Sequence, residues 1–181
     1  WPELIYLSNL TLNYCQQCGF GFSWPEIEDV TVNDFYSSEY RKPSSPFYVD
    51  FSKLQRRYFL DHRSMSQLLL AKQYVDFKDG DCFLDIGPGD GSSFGAAQYI
   101  LPSPICTAIE LNDGAPDALK RIYDTETYKS IKDFSVSNNI SKRAKICLLS
   151  HSLEHYKFSW LETALTDMHN VLTEDGVLVV E

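Results

Sequence analysis

Residues Phe83-Leu84-Asp85-Ile86-Gly87-Pro88-Gly89-Asp90-Gly91-Ser92 constrain this chain more than any other stretch. An apolar run ends on an acid and passes at once into three glycines spaced G-x-G-x-G, the pattern of a strand entering a turn that exposes its backbone. A side chain in such a turn would hold a ligand away from the main chain, and tight turns use φ values that other residues resist. The strand-turn-helix order puts the turn at the carboxyl end of a parallel strand, where open α/β sheets bind ligands. Taken alone, the pattern also fits a plain surface turn.

The residues that follow extend the reading. Ser92 to Ile100 has the pattern of a short helix that Leu101-Pro102 ends, and Ile105-Cys106-Thr107-Ala108-Ile109 reads as a second buried strand closing on Glu110. A carboxylate at that strand tip can accept hydrogen bonds from the two vicinal ribose hydroxyls of an adenosine-type ligand. NAD and S-adenosylmethionine (SAM) both carry them. Glu110 in isolation also fits an exposed acid at a strand end. The nicotinamide and flavin fingerprint G-x-G-x-x-G wants its third glycine one residue later, and Phe94 stands where a small residue would be expected.

A third segment separates the two cofactors. Ile146-Cys147-Leu148-Leu149-Ser150-His151-Ser152-Leu153-Glu154-His155 is an apolar strand followed by a Leu-Glu-His turn. A helix from about Trp160 to Leu172 comes next, with Leu161, Leu165, Met168, Val171 and Leu172 forming its apolar stripe. Thr173-Glu174-Asp175-Gly176 then turns into Val177-Leu178-Val179-Val180. The glycine loop with Asp85 ahead of it resembles the first motif of class I SAM-dependent methyltransferases, D-x-G-x-G-x-G. The Leu-Glu-His turn is similar to the fourth-strand motif of many small-molecule methyltransferases, and the Thr173–Val180 stretch to their L-x-x-G-G-x-L approach to strand five. The resemblance covers about residues 81–181, with its motifs in the family's order.

The resemblance implies an α/β fold, a Rossmann-like doubly wound, mostly parallel sheet that carries SAM. Asp85 and the backbone of Gly87, Gly89 and Gly91 would hold the methionine part, Glu110 the ribose, and Asp133 the adenine amino group. Asp133 comes a few residues late for that role and also reads as a solvated acid at a helix start. The acid that begins strand four in F-D-x-[IV] has no counterpart, since Ala144-Lys145-Ile146 stands there. For a hydroxyl acceptor the resemblance points to a base at His155 or His151, with packing at a turn as the other reading of His155. The family sheet has seven strands and this sequence reaches the fifth, so the core is expected to be incomplete after strand five. A SAM-binding module without catalysis is the alternative function.

Two metal readings attach to the same turn. His151, Glu154 and His155 match H-x-x-E-H, a zinc-hydrolase pattern that needs a helix to bring residues four apart onto one face. A helix of that kind is not expected directly after a buried strand. Divalent-metal-dependent RNA 2′-O-methyltransferases carry a similar E-x-x-E-H cluster, with Glu where this chain has His151. The formal net charge of −9 disfavours a nonspecific grip on nucleic acid, which rests on Lys and Arg. A small-molecule acceptor is therefore expected, with no nucleic-acid partner. No stretch of 18 apolar residues and no signal peptide is read in the sequence, so no membrane partner is expected and the cytoplasm follows by default. Nothing in the sequence reads on oligomeric state.

Cysteine usage divides the chain. Cys82, Cys106 and Cys147 fall in expected buried strands, where cysteine acts as a small hydrophobe. Cys15 and Cys18 form C-x-x-C ahead of Gly19-Phe20-Gly21-Phe22, a knuckle in which backbone amides can face thiolates. Zinc needs four ligands, and no second C-x-x-C is present; two free thiols in a turn fit as well. The stretch from Cys15 to Pro25, followed by Phe35-Tyr36-Ser37-Ser38-Glu39-Tyr40, is similar to the cysteine-rich N-terminal module of one methyltransferase subset. The expectation is a partial zinc ribbon whose other half-site lies upstream of Trp1, binding zinc weakly or not at all. Three parts result: a cysteine-containing segment over 1–40, a linker with one or two capping helices over 41–80, and a SAM-binding Rossmann-like domain over 81–181. Tyr48 and Arg57, in the capping part, are further ligand-contact candidates.

Overall fold

Five strands from Cys82 onward line up side by side and in one direction. The computed structural model describes residues 11–19, 21–24, 34–40, 42–46, 48–56, 61–137 and 143–181. Its main sheet is built from β3 (Cys82–Ile86), β4 (Ile105–Ile109), β5 (Glu126–Tyr128), β6 (Ala144–Leu149) and β7 (Leu172–Val180) in the order β5-β4-β3-β6-β7, all parallel. Leu84 lies beside Thr107 on one side and Cys147 on the other. The chain builds outward from β3 through β4 to β5, then returns across β3 to begin β6 on its other flank. That reversal opens a crevice between the carboxyl ends of neighbouring strands.

Helices cover both faces of this sheet. In chain order they are α1 (His62–Ala71), α2 (Ser92–Ile100), α3 (Ala115–Tyr123), α4 (Ile131–Val136) and α5 (Phe158–Val171). Because strand side chains alternate in direction, Phe83, Ile146 and Leu148 pack on one face with Leu68 of α1, Phe94 and Ala97 of α2 and Leu119 of α3. Leu84, Cys147 and Leu149 pack on the other with Ile131 and Phe134 of α4 and Met168 and Val171 of α5. Cys82, Cys106 and Cys147 are buried in strands, as their apolar surroundings predict.

Two expectations are corrected in detail, and a third is narrowed. The apolar stripe of α5 runs through Ala164, Met168 and Val171, whereas Leu165 is exposed; the spacing i, i+4, i+7 selects that face. Strand β7 begins at Leu172 and absorbs the expected turn around Gly176, where a Cβ would stand 2.9 Å from the Ala144 carbonyl oxygen of β6. Among the described residues of the capping part only α1 forms a helix, entered through Asp61, whose carboxylate accepts from the Ser64 amide at 2.9 Å. Residues 48–56 are not helical and are held by Arg121, whose guanidinium donates to the carbonyls of Phe51 and Leu54.

The chain divides into two compact units, Trp1–Phe35 and Tyr36–Glu181. In the first, β1 (Thr11–Tyr14) and β2 (Gly21–Trp24) form an antiparallel hairpin. No helix among the described residues is long and apolar enough to cross a membrane.

Candidate functional site

The carboxyl ends of the parallel strands gather Gly87 after β3, Glu110 after β4, Ser150 and His151 after β6, and Glu181 after β7. The glycine loop lies at the reversal of strand order. Gly87, Gly89 and Gly91 all have positive φ, 76°, 58° and 76°. At Gly87 a Cβ would stand 2.5 Å from Ser152 Oγ, the hydroxyl that ties this turn to β3 by donating to the Ile86 carbonyl at 2.9 Å. Gly91 is the N-cap of α2, and a Cβ there would meet Leu119 and Tyr123 of α3 at 2.7 Å. The third glycine of G-x-G-x-x-G would fall at Ser92. Two residues on, the Phe94 ring is wholly buried, edge-on to Phe83 at 5.8 Å and tilted to Tyr123 at 6.0 Å, so aromatic packing joins α2 to the sheet.

Asp85 sits beneath this loop, buried in the last turn of the pleat of β3, and accepts a hydrogen bond from the Ser93 hydroxyl of α2. Burial pushes its carboxyl up to about 7, against the Ser93 bond, with a smaller contribution from the charge of Glu110. Glu110 is half-buried; its amide donates to the Tyr128 carbonyl at 2.9 Å and its Oε1 accepts from the Asn112 amide at 2.9 Å. These bonds anchor its carboxylate at the tip of β4. Asp133 is placed otherwise: it is exposed in the first turn of α4, with Ser130 Oγ donating to its Oδ2 at 2.7 Å and accepting from its amide at 3.1 Å. This is a helix-capping arrangement.

The segment after β6 is a turn. His151 has a positive φ of 49°, and only Leu153–His155 form a short 3₁₀ turn, so H-x-x-E-H does not occupy one face of an α-helix. His151 Nδ1 is 3.5 Å from Glu154 Oε1, while the His155 ring faces Tyr36 and Tyr40. No group of three or more His, Cys, Asp or Glu among the described residues is arranged to hold a metal. At the hairpin, the Cys15 thiol is lowered by hydrogen bonds from the Cys18 and Gln17 amides and the Cys18 side chain, and Gly19 carries a φ of 73°. The turn thus brings the two thiols together, with no third His, Cys, Asp or Glu grouped with them among the described residues. Tyr48 is exposed and Arg57 lies outside the described residues.

Sequence reasoning missed Ser93, Ser152 and Gln67. Gln67 of α1 is buried and donates through Nε2 to Ser150 Oγ at 2.9 Å and to Glu181 Oε2 at 2.5 Å, joining α1 to the ends of β6 and β7. Each acts across a gap of sequence or through an ordinary polar residue, so no local pattern marks it.

No protein-family model and no curated protein sequence matches this chain. Solved structures do. One is a Methanococcus maripaludis protein provisionally assigned as a SAM-dependent methyltransferase, at 15% identity, covering 65% of this chain and 53% of that one with a TM-score of 0.50. Another is the precorrin-6y C5,15-methyltransferase of Geobacter metallireducens, at 17% identity, covering 73% and 69% with a TM-score of 0.47. A third is a SAM-dependent methyltransferase of Thiobacillus denitrificans in complex with S-adenosylhomocysteine, at 14% identity, covering 86% and 56% with a TM-score of 0.46. The chain spans about half the length of the first and third of these. Its fold is the Rossmann-like fold of SAM-dependent methyltransferases.

Proposed function

We propose that this chain carries the cofactor site of a SAM-dependent methyltransferase that acts on a small-molecule acceptor. The observation that supports it most is the joint geometry of the glycine loop, with its Cβ-excluding contacts, the buried Asp85 beneath it and Glu110 at the neighbouring strand tip. A cationic ligand suits an acid that is otherwise held near 7, because a nearby positive charge favours the ionised form. Asp85, Gly87, Gly89 and Gly91 would hold the methionine part, and Glu110 the ribose hydroxyls. Asp133 is the candidate for the adenine amino group, which its carboxylate could accept from while keeping the Ser130 bond at Oδ2.

When bound, SAM would supply a methyl group on a sulfonium for in-line transfer to an acceptor oxygen, nitrogen or carbon. This chain's residues then align the reactants and exclude water. With a hydroxyl acceptor, His155 or His151 would take the proton. In the same reading residues 81–181 are the SAM-binding part, 41–80 cover the pocket, 1–40 carry a partial zinc site at Cys15 and Cys18, and the protein works in the cytoplasm without nucleic acid.

Titration calorimetry tests the assignment. SAM and S-adenosylhomocysteine should bind and NAD should not, and Glu110→Ala should weaken SAM binding by about 1–3 kcal/mol through the loss of charge-assisted hydrogen bonds. NAD binding without SAM binding would sink it. Tight SAM binding with no transfer of a tritiated methyl group to any extract component would favour the module without catalysis.

A further inference from the structure

The Leu153–His155 turn and the π-helical turn Phe35–Glu39 are far apart in sequence, yet their aromatic side chains meet. The Tyr36 ring centroid lies 5.4 Å from that of His155 with the planes tilted by 57°, and Tyr40 lies edge-on at 6.3 Å. The two tyrosine rings are themselves 5.2 Å apart. Such tilted and edge arrangements are the ones aromatic quadrupoles favour. His155 sits on a three-residue turn and is exposed on its remaining side. Left to itself, an exposed imidazole would sample several rotamers.

We infer that Tyr36 and Tyr40 are positioning residues, whose rings clasp the imidazole of His155 in one orientation and leave its nitrogens open to the acceptor. Tyr36 lies in the π-helical turn and Tyr40 directly follows it, four residues on. Among the described residues, none hydrogen-bonds a ring nitrogen of His155; its amide donates to the Ser152 carbonyl at 3.1 Å. By contrast His151 turns Nδ1 toward Glu154 and, among the described residues, has no ring against it. Tyr36 is suited to be a wall and not a base: burial first, then Tyr40 and Glu154, push its hydroxyl up to about 12, so it stays protonated. The clasp makes His155 the base of choice over His151. This inference rests on the methyltransferase reading for its catalytic part, while the clasp itself is a property of the chain alone.

The test uses histidine-labelled protein without ligand, with the His155 ring signal identified by its loss in His155→Gln. NMR relaxation should report a rigid His155 ring in the wild type and in Tyr36→Phe, which keeps the ring. Tyr36→Leu and, independently, Tyr40→Leu should release it and shift its resonances. A His155 ring that is already mobile in the wild type, or unmoved in both leucine variants with the fold intact by circular dichroism, overturns the proposal. In tritiated methyl transfer from SAM to low-mass hydroxyl acceptors of a cell extract, Tyr36→Leu should lower kcat on the order of 10- to 100-fold with SAM affinity kept. Tyr36→Phe should restore it. Full activity of Tyr36→Leu beside an inactive His155→Gln overturns the positioning role alone. Full activity of His155→Gln removes the base assignment and the positioning role together, and leaves the relaxation result to decide on the clasp.

Discussion

Asp85 is a carboxyl group placed where ionisation costs free energy, and its protonation links the site to the stability of the fold. Its value is pushed from 3.8 to about 7, with burial the main cause. The native state therefore keeps this proton up to about pH 7, whereas the unfolded chain releases it near 3.8. The stabilisation it brings is complete below about pH 4, fades as pH rises to 7 and is absent above. Asp50, Asp61, Asp113 and Asp175 are all lowered by hydrogen bonds and favour the fold in the opposite sense, losing their contribution as pH falls. The clean observable is thus a difference: the melting temperature of the wild type minus that of Asp85→Asn should fall between pH 4 and 7 and stay level above. A flat difference would show that Asp85 titrates normally. Binding of a cationic ligand should strengthen over the same interval. At this scale the placement of Asp85, the three glycines and Glu110 at strand ends was legible because each belongs to a contiguous pattern there. Ser93 and Ser152 were not, since a serine acquires its meaning only when the fold brings Asp85 or the Ile86 carbonyl to it.

Elements show why some boundaries are written locally and others arise from packing. The spans Ser92–Ile100 and Ile105–Ile109 were expected with the bounds they have, because Gly91 and Pro102 delimit the first and β-branched residues with a terminal acid mark the second. Helix α3 was not read; its Pro116 sits in the first helical turn, where its missing amide costs nothing. Leu165 was assigned to the buried face of α5 and lies outside, as the sheet selects the stripe one position away. The start of α2 is where the element-scale prediction falls. Gly91 combines a φ of 76° with side chains of Leu119 and Tyr123 at 2.7 Å from a modest Cβ, so Gly91→Ala both strains the backbone and pushes α3 away. It should destabilise the protein by about 1–3 kcal/mol from the backbone alone, measured by urea denaturation. Ser92→Ala, which adds no Cβ, should leave stability within about 0.5 kcal/mol. Equal effects of the two would mean that the loop tolerates a side chain.

At the scale of the whole molecule the candidate residues divide by unit. Every candidate cofactor or catalytic residue lies in Tyr36–Glu181, whereas Cys15 and Cys18 lie in Trp1–Phe35. The main sheet, both of its apolar layers and the rim with Gly87, Glu110 and His155 are all within the larger unit. The C-x-x-C motif lies in the smaller unit, while Tyr36 and Tyr40, within the expected 1–40 segment, lie in the larger one with their rings against His155. Local reading could not foresee that, since the contact joins residues more than a hundred positions apart. A protein comprising residues 36–181 should therefore keep the SAM site, with affinity within about threefold of the full chain, which corresponds to less than 1 kcal/mol. Zinc should associate with the full chain below one equivalent, because two thiolates leave half of a four-ligand site unfilled. Calorimetry on the two proteins side by side decides both points. A tenfold or greater loss of SAM affinity on removing residues 1–35 would mean that the smaller unit contributes to the cofactor site, and stoichiometric zinc in the full chain would mean that Cys15 and Cys18 have partners beyond each other.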